Sequence, residues 1–454
     1  MDYEVEVPDP GNPGETKLAT RGAGISLIVD NSHVSILDST VSSVGLTGIY
    51  LSTRSNHVLV DGNTVHGTRK ATAILAESRS HDLIVRGNVV YHAAVENPTE
   101  TGIQIAGTTR AVGENNVVFD SRYGIKATGY VNSGGVEMPC SRVILRNNVA
   151  FDNFASPITV NSVGNRNYPE LPVATDRVAV YHNSLSSNGS TSTRYGHGSG
   201  FYLLQLHSPQ AELSEVAIEN NIVDSGLGMF VNQYVNNPGA PPLTEVEFSR
   251  NHYYHAPFSP PDTYMGDWDG ALLEDLIAWK TQLENDASGG TTVLDEPSFA
   301  DRAAGDFQLT LDSPCIDQAI ALTTITTVDD FTLGVENAMY FMDGYGISGE
   351  TGDEIVIFDP FWDVVGIATV TAVDYDTNVL TVDSVLPDVR VGDLVSYGRD
   401  KNGHWRVAGR PDIGAYERTQ GAKVEVCHAE QTISIAVVAL DAHLEHGDTF
   451  GSCR

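Results

Sequence analysis

Asp61-Gly62-Asn63-Thr64-Val65, Arg86-Gly87-Asn88-Val89-Val90, Asn115-Asn116-Val117-Val118, Asn147-Asn148-Val149-Ala150, His182-Asn183-Ser184-Leu185, Asn220-Asn221-Ile222-Val223 and Arg250-Asn251-His252-Tyr253 are one phrase in seven spellings. The aligned asparagines stand 25, 28, 32, 35, 38 and 30 residues apart. An approximate repeat of that length marks stacked units, none of which buries its apolar face alone. A second phrase alternates in period two: Gly48-Ile49-Tyr50-Leu51, Ala73-Ile74-Leu75-Ala76, Gly102-Ile103-Gln104-Ile105, Gly124-Ile125-Lys126-Ala127, Pro157-Ile158-Thr159-Val160 and Gly228-Met229-Phe230-Val231. Such alternation predicts short strands, and nothing in this stretch carries helical spacing. The fold expected is all-β, a right-handed parallel β-helix. Asparagine suits it twice over, tolerating a left-handed turn and offering an amide that can bond to its copy one coil away. A propeller blade needs roughly 40–50 residues, and a sandwich needs no asparagine at fixed phase.

Working outward, residues 1–23 read as an irregular lead-in and 24–256 as the coils. Residues 257–320 read as a cap and closing segment, opened by a helix over 267–286 whose leucines and Trp279 share one face. Residues 321–409 read as an inserted small all-β unit, barrel or sandwich, with strands near 354–358, 366–373, 379–382 and 393–397 between Gly/Asp turns. Its Tyr340, Tyr345, Trp362 and Trp405 read as core before they read as sugar platforms. Residues 410–422 return to the closing segment, and 423–454 form a Cys/His tail.

Composition narrows the partners. Lys plus Arg total 26 against 59 Asp plus Glu, a net charge of -33 and a pI near 4.5. So acidic a chain argues against nucleic acid and anionic membranes, and against a polyanion unless a local basic groove overrides the field. No run of eighteen apolar residues predicts membrane insertion. The N-terminus lacks the basic start and apolar core of a signal peptide, so the chain reads as the mature form of a secreted or cell-surface protein. Carboxylates and backbone oxygens admit bound Ca²⁺ in a β-helix groove, although no strict calcium loop is present.

Several phrases carry a resemblance: Asp295-Glu-Pro-Ser-Phe299, Gly305-Asp-Phe-Gln-Leu309 with Asp312-Ser-Pro-Cys-Ile-Asp317, and Arg410-Pro-Asp-Ile-Gly-Ala-Tyr-Glu417. Behind a β-helix they resemble the ending of secreted bacterial right-handed β-helix repeat proteins, which share the fold of pectate lyases. The resemblance implies the fold and leaves the activity open among lyases, hydrolases, epimerases and non-catalytic proteins. The tail, Val426-Cys-His428 … His443-Leu-Glu-His446-Gly-Asp448 … Cys453, resembles a C-terminal module of assorted secreted bacterial proteins. Cys427, His428, His443, His446 and Cys453 match it, and two thiolates with imidazoles make a structural Zn²⁺ set. A Cys427–Cys453 disulfide is the alternative in an oxidising compartment.

Aligning the alternating phrase puts Ile49, Ile74, Ile103, Ile125, Ile158 and Met229 inside. Tyr50, Leu75, Gln104, Lys126, Thr159 and Phe230 then form one outward column, with Ser52, Glu77, Ala106, Thr128, Asn161 and Asn232 beside it. With coils about 4.8 Å apart, Glu77, Gln104 and Lys126 fall within ~15 Å. Cleaving a uronic-acid polymer by elimination requires a cation for the carboxylate, a base and an acid. Lys126 is the candidate base, Arg122 the carboxylate clamp, Tyr130 the acid, and Glu77 a further catalytic group. Tyr50, Gln104, Asn161 and Arg54 are candidate substrate-binding residues. The bland alternative pairs Lys126 with Glu77 as an inert surface contact. A glycosidase would need a second carboxylate roughly 5–10 Å from Glu77, from Glu96, Glu100 or Asp120. The expected partner is thus a polysaccharide or glycan, met by a lyase or related enzyme; the alternative is a non-catalytic surface, adhesive or fibre-forming protein, for which self-association stays open.

Overall fold

The computed structural model describes residues 3–8, 16–93, 101–186, 199–206, 210–224, 229–236, 244–254, 266–268, 271–273 and 295–453. From residue 24 the chain winds into coils of three short strands, and each strand pairs in parallel with its counterpart one coil away. Among the described residues three sheets result: an eleven-stranded long face containing Ile49–Ser52, Ile74–Ala76, Thr101–Ala106, Tyr123–Val131 and Ser156–Val163, with Glu137–Met138 and Ala271–Leu273 as antiparallel additions, and two eight-stranded faces. The all-β parallel β-helix expected from the repeat is the fold observed. Its interior is a column of Val, Ile, Leu and Ala from all three sheets, packed into one continuous core.

The asparagine phrase shows how the sequence makes a coil. Asn63, Asn88, Asn116, Asn148, Asn183, Asn221 and Asn251 are fully buried. Each side-chain amide donates to the Oδ1 of the next, at 2.8–3.0 Å, along the whole ladder. The same Oδ1 accepts the backbone N–H of the preceding ladder residue, as Asn148 does for Asn116 at 3.0 Å. The left-handed turn lies one residue earlier than the sequence argument placed it. Gly62, Gly87, Asn115, Asn147, His182, Asn220 and Arg250 hold φ between 52 and 67°. One residue bends the backbone and the next satisfies the buried polar groups.

Several expectations need correcting. The alternating phrase misses one coil, because Ser199–Leu206 is also a strand of the long face. Register then aligns Phe201 with Val231, not Met229, behind Ile158. Asn232, not Phe230, falls in register with Tyr202 and Thr159, and Tyr234, not Asn232, with Leu204 and Asn161. The missed phrase is Gly200-Phe201-Tyr202-Leu203, which keeps the period-two alternation with Phe201 and Leu203 buried. The lead-in is a hairpin of Tyr3–Pro8 with Thr16–Arg21 rather than irregular. The cap helix expected over 267–286 begins as an antiparallel pair, Gly266–Trp268 with Ala271–Leu273, and 274–286 lie outside the described residues.

The inserted unit is a closed six-stranded barrel of Thr323–Asp329, Thr332–Val335, Val379–Val382, Val364–Asp374, Glu354–Phe358 and Leu394–Tyr397. It docks on the second sheet, whose outward row Leu59, Ile84, Val112, Ile144, Ala179 and Ala217 is buried against Ile325, Leu333, Tyr340 and Tyr397. Tyr340, Tyr345 and Trp405 are core residues. A fully buried Arg146 ties the two parts together. It donates to Glu114 (2.7 Å), to both oxygens of the barrel's Asp353 (2.7 and 2.6 Å) and to Tyr181 (2.9 Å), and lies over the Tyr397 ring.

The closing phrases, ninety residues apart in sequence, meet on the third sheet. Asp412 accepts the N–H of Asp317 at 2.7 Å, and Ile413 N–H donates to Cys315 O at 3.0 Å. Gly414 (φ 97°) presses on Ile222, where a Cβ would come within 2.6 Å. The outward aromatic stack of that sheet, His66–Tyr91–Phe119–Phe151, ends under Phe307. The tail, Lys423–His428 with Gln431–Ala436 and Thr449–Phe450, packs on the barrel through Val424, Val426 and Leu440 against Phe358 and Trp405.

Candidate active face

Two of the three β-helix faces are thus covered by the chain's own additions. On the long face, Tyr50, Leu75, Gln104 and Lys126 stay partly open at its centre. Their alignment is the expected one: Tyr50 pairs with Leu75, Leu75 with Gln104, Gln104 with Lys126, and Lys126 with Thr159. The inward partners Ile49, Ile74, Ile103, Ile125 and Ile158 are fully buried and pin that orientation.

Glu77 does not make its contacts with lysine. Tyr50 donates its hydroxyl to Glu77 Oε1 at 2.5 Å from the coil before. Tyr130 reaches back from two coils later, its hydroxyl 3.5 Å from Glu77 Oε2 and 3.1 Å from Ser78 Oγ. That reach depends on Gly107: at φ 57°, a Cβ there would stand 3.1 Å from the Tyr130 ring and 2.6 Å from Met138 Cβ. Burial, reinforced by Glu77, pushes the Tyr50 hydroxyl up to about 12. Burial also raises Tyr130, so both phenols keep their protons at neutral pH.

The cations form a neighbouring group. Arg122 and Lys126 both lie over the Tyr123 ring, at 5.0 and 5.6 Å from its centroid. Thr72 Oγ1 is 3.5 Å from Gln104 Oε1, one coil before Lys126. From strand and coil spacings, the Glu77 and Lys126 backbones are roughly 12 Å apart. The structure therefore joins Tyr50, Glu77 and Tyr130 in one cluster and Arg122 with Lys126 in another, on one face.

Other candidates sit elsewhere. Asn161 is 2% exposed, beneath the surface rather than on it. Arg54 (φ 63°) pairs with both oxygens of Asp30 at 2.6 and 2.7 Å, on the rim. Asp120 sits on a different turn, 2.5 Å from His92, and Glu96 and Glu100 lie outside the described residues. From the Tyr50 coil to the Thr159 coil, Glu77 is the one carboxylate of the two outward columns, and both its oxygens face tyrosine hydroxyls. Cys427 and Cys453 are joined in a disulfide, so neither thiolate is available to zinc; this corrects the Cys/His ligand set in favour of its alternative.

Sequence reasoning missed Tyr123, Ser78 and Thr72. Only Tyr123 carried a signal, lying three residues before Lys126 at the start of the same strand. A cleft of about 390 Å³ between β-helix and barrel was not foreseen either. Glu215, Glu245, Glu247, Glu336 and Asp376 line it against Arg177, a field hostile to an acidic polymer.

A family model described as right handed beta helix region matches residues 23–251. No relative is found among curated proteins. Among solved structures the chain is similar to pectate lyase Pel9A, at 13% identity over 64% of this chain and 67% of that one, with a TM-score of 0.33. It is also similar to XylC in complex with xylose, at 12% identity over 84% of this chain and 52% of that one, with a TM-score of 0.30. At such scores neither likeness bears on what this chain does.

Proposed function

Because the chain belongs to the right-handed β-helix family, whose stacked coils turn continuous strand faces outward, we propose that it binds and cleaves a uronic-acid polysaccharide across the long face. The observation that carries this reading is Glu77 held between the hydroxyls of Tyr50 and Tyr130, beside the registered pair Gln104 and Lys126. Arg122 and Lys126 meet the sugar carboxylate and draw off its charge, which makes the neighbouring proton removable. Glu77 takes that proton. Tyr130, kept protonated by burial, donates to the departing glycosidic oxygen. The contact between Glu77 and Tyr130 then returns the proton to the phenol, so the elimination consumes no net acid or base. Tyr50 holds the carboxylate in place.

The role of base thus moves from Lys126 to Glu77, because Tyr130 reaches Glu77. The local basic pair is what allows an acidic protein to hold an acidic polymer. The test is ultraviolet absorbance of the unsaturated product on a panel of uronic-acid polymers. Wild type should generate it, and Glu77→Gln or Tyr130→Phe should lose at least about 10²-fold in rate. Absence of product across the panel sinks the catalytic reading. The roughly 12 Å between the Glu77 and Lys126 backbones favours a second reading, a non-catalytic glycan-binding face, which retained binding without product would support.

A further inference from the structure

The tail holds a side-chain group that the long-face chemistry does not use. Pairing of Val426 with Phe450 and Cys427 with Thr449 brings the next two residues, His428 and Asp448, opposite each other. His428 Nδ1 lies 2.9 Å from both Asp448 oxygens. His443, in the helix Leu440–Glu445, turns its own Nδ1 to Asp448 Oδ2 at 2.7 Å. The chain reaches this geometry by a tight helix stop. Gly447 (φ 91°) donates its N–H to Leu444 O at 3.0 Å, and Asp448 N–H donates back to His443 O at 3.1 Å. The Cys427–Cys453 bridge fastens the strand end beside it.

From this geometry we infer that His428, His443 and Asp448 bind one divalent transition-metal ion, zinc foremost. Their donor atoms all lie within 4.8 Å of one another, so a single ion can touch all three. Both imidazoles aim the same nitrogen at one carboxylate, so an ion seated between them replaces two hydrogen bonds with coordination bonds. Two nitrogens and an oxygen suit zinc, copper, nickel or cobalt, and disfavour calcium and magnesium, which take oxygens. His428 is half exposed while Asp448 is 8% exposed, which leaves an outer side for water to complete the shell. The ion ties strand end, helix end and C-terminal strand together, a structural role independent of the long face.

The test uses the untagged, oxidised full chain after chelator treatment, titrated calorimetrically with Zn²⁺, with Co²⁺ as an optical probe. The expected result is one saturable site per chain. His443→Ala and Asp448→Asn should each weaken it at least about tenfold, and His57→Ala, in the surface stack of His33 and His57, should leave it unchanged. The cobalt spectrum should lack a thiolate charge-transfer band. Asp448→Asn keeps the shape of the carboxylate, so a loss of binding with unchanged thermal unfolding reports on ligation. No saturable binding, binding indifferent to both variants, or binding that appears only after reduction overturns the inference.

Discussion

Replacing Asn148 with alanine cuts the ladder at mid-stack and severs four hydrogen bonds at once. The Asn148 amide donates to Gly113 O (2.8 Å) and Asn183 Oδ1 (3.0 Å), and its oxygen accepts Asn116 N–H and Nδ2, both at 3.0 Å. All of this is sealed from water, so no solvent replaces the lost partners. At about 1 kcal/mol net for each bond, the variant should lose about 4 kcal/mol. Asn147→Gly is the matched control. Its φ of 52° suits glycine, and it surrenders only a donation to Arg399 O and a long contact from Arg406, so it should cost about 1–2 kcal/mol. Denaturant midpoints give the totals, and hydrogen exchange gives the location. The Asn116 amide should lose its protection in Asn148→Ala, while the Asn88 amide, which donates to Asn116 Oδ1, should keep it. A loss below about 1 kcal/mol, or an Asn116 amide still protected, would refute the claim that the ladder holds the coils in phase.

Further consequences are independent of the ladder. Gly107→Ala should displace the Tyr130 ring and reduce turnover on a cleaved polymer on the order of 10²-fold with little loss of binding, read as kcat against KM. Arg146→Ala should destabilise by about 3–5 kcal/mol, because Glu114 and Asp353 are left buried without their cation, and limited proteolysis should then find the barrel undocked. Burial pushes the Glu219 carboxyl up to about 8, against an ordinary value of 4.5, while the Tyr340 hydroxyl partly offsets it. The folded chain therefore holds a proton that the unfolded chain releases, so this contribution is full below about pH 4.5 and is lost as pH rises to about 8. Glu219→Gln should flatten that slope in unfolding midpoints taken at pH 5 and pH 8. Reducing the Cys427–Cys453 bridge, which spans 26 residues, should cost the tail about 3.5 kcal/mol, seen as faster exchange over Lys423–His428.

The coils were legible because one turn needs the same two residues each time, and asparagine leaves a mark that survives drift elsewhere. The barrel was legible because its strands are short and punctuated by glycine and aspartate. Its docking was not: Leu59, Ile84, Val112 and Ile144 read like any strand residues until Ile325 and Leu333 are seen to cover them. Within the site, register followed from aligning the alternating phrase, and so Gln104 and Lys126 were placed correctly. Tyr130 was tied to Lys126 by closeness in sequence, yet its ring folds back over Gly107 to Glu77, two coils away. Side-chain reach across coils leaves no periodic trace. The tail disulfide and the zinc set drew on the same cysteines, and only the pairing of Lys423–His428 with Thr449–Phe450 separates them.

The central claim is that distant coils assemble one working surface around Glu77, and a structure solved with a uronic-acid oligosaccharide tests it most directly. The sugar should lie across the strands Ile74–Ala76, Thr101–Ala106 and Tyr123–Val131, with a carboxylate at Arg122 and Lys126 and a glycosidic oxygen at Tyr130. An oligosaccharide seated instead in the cleft beside Arg177 and Asp376, or nowhere on the protein at millimolar concentration, would contradict it.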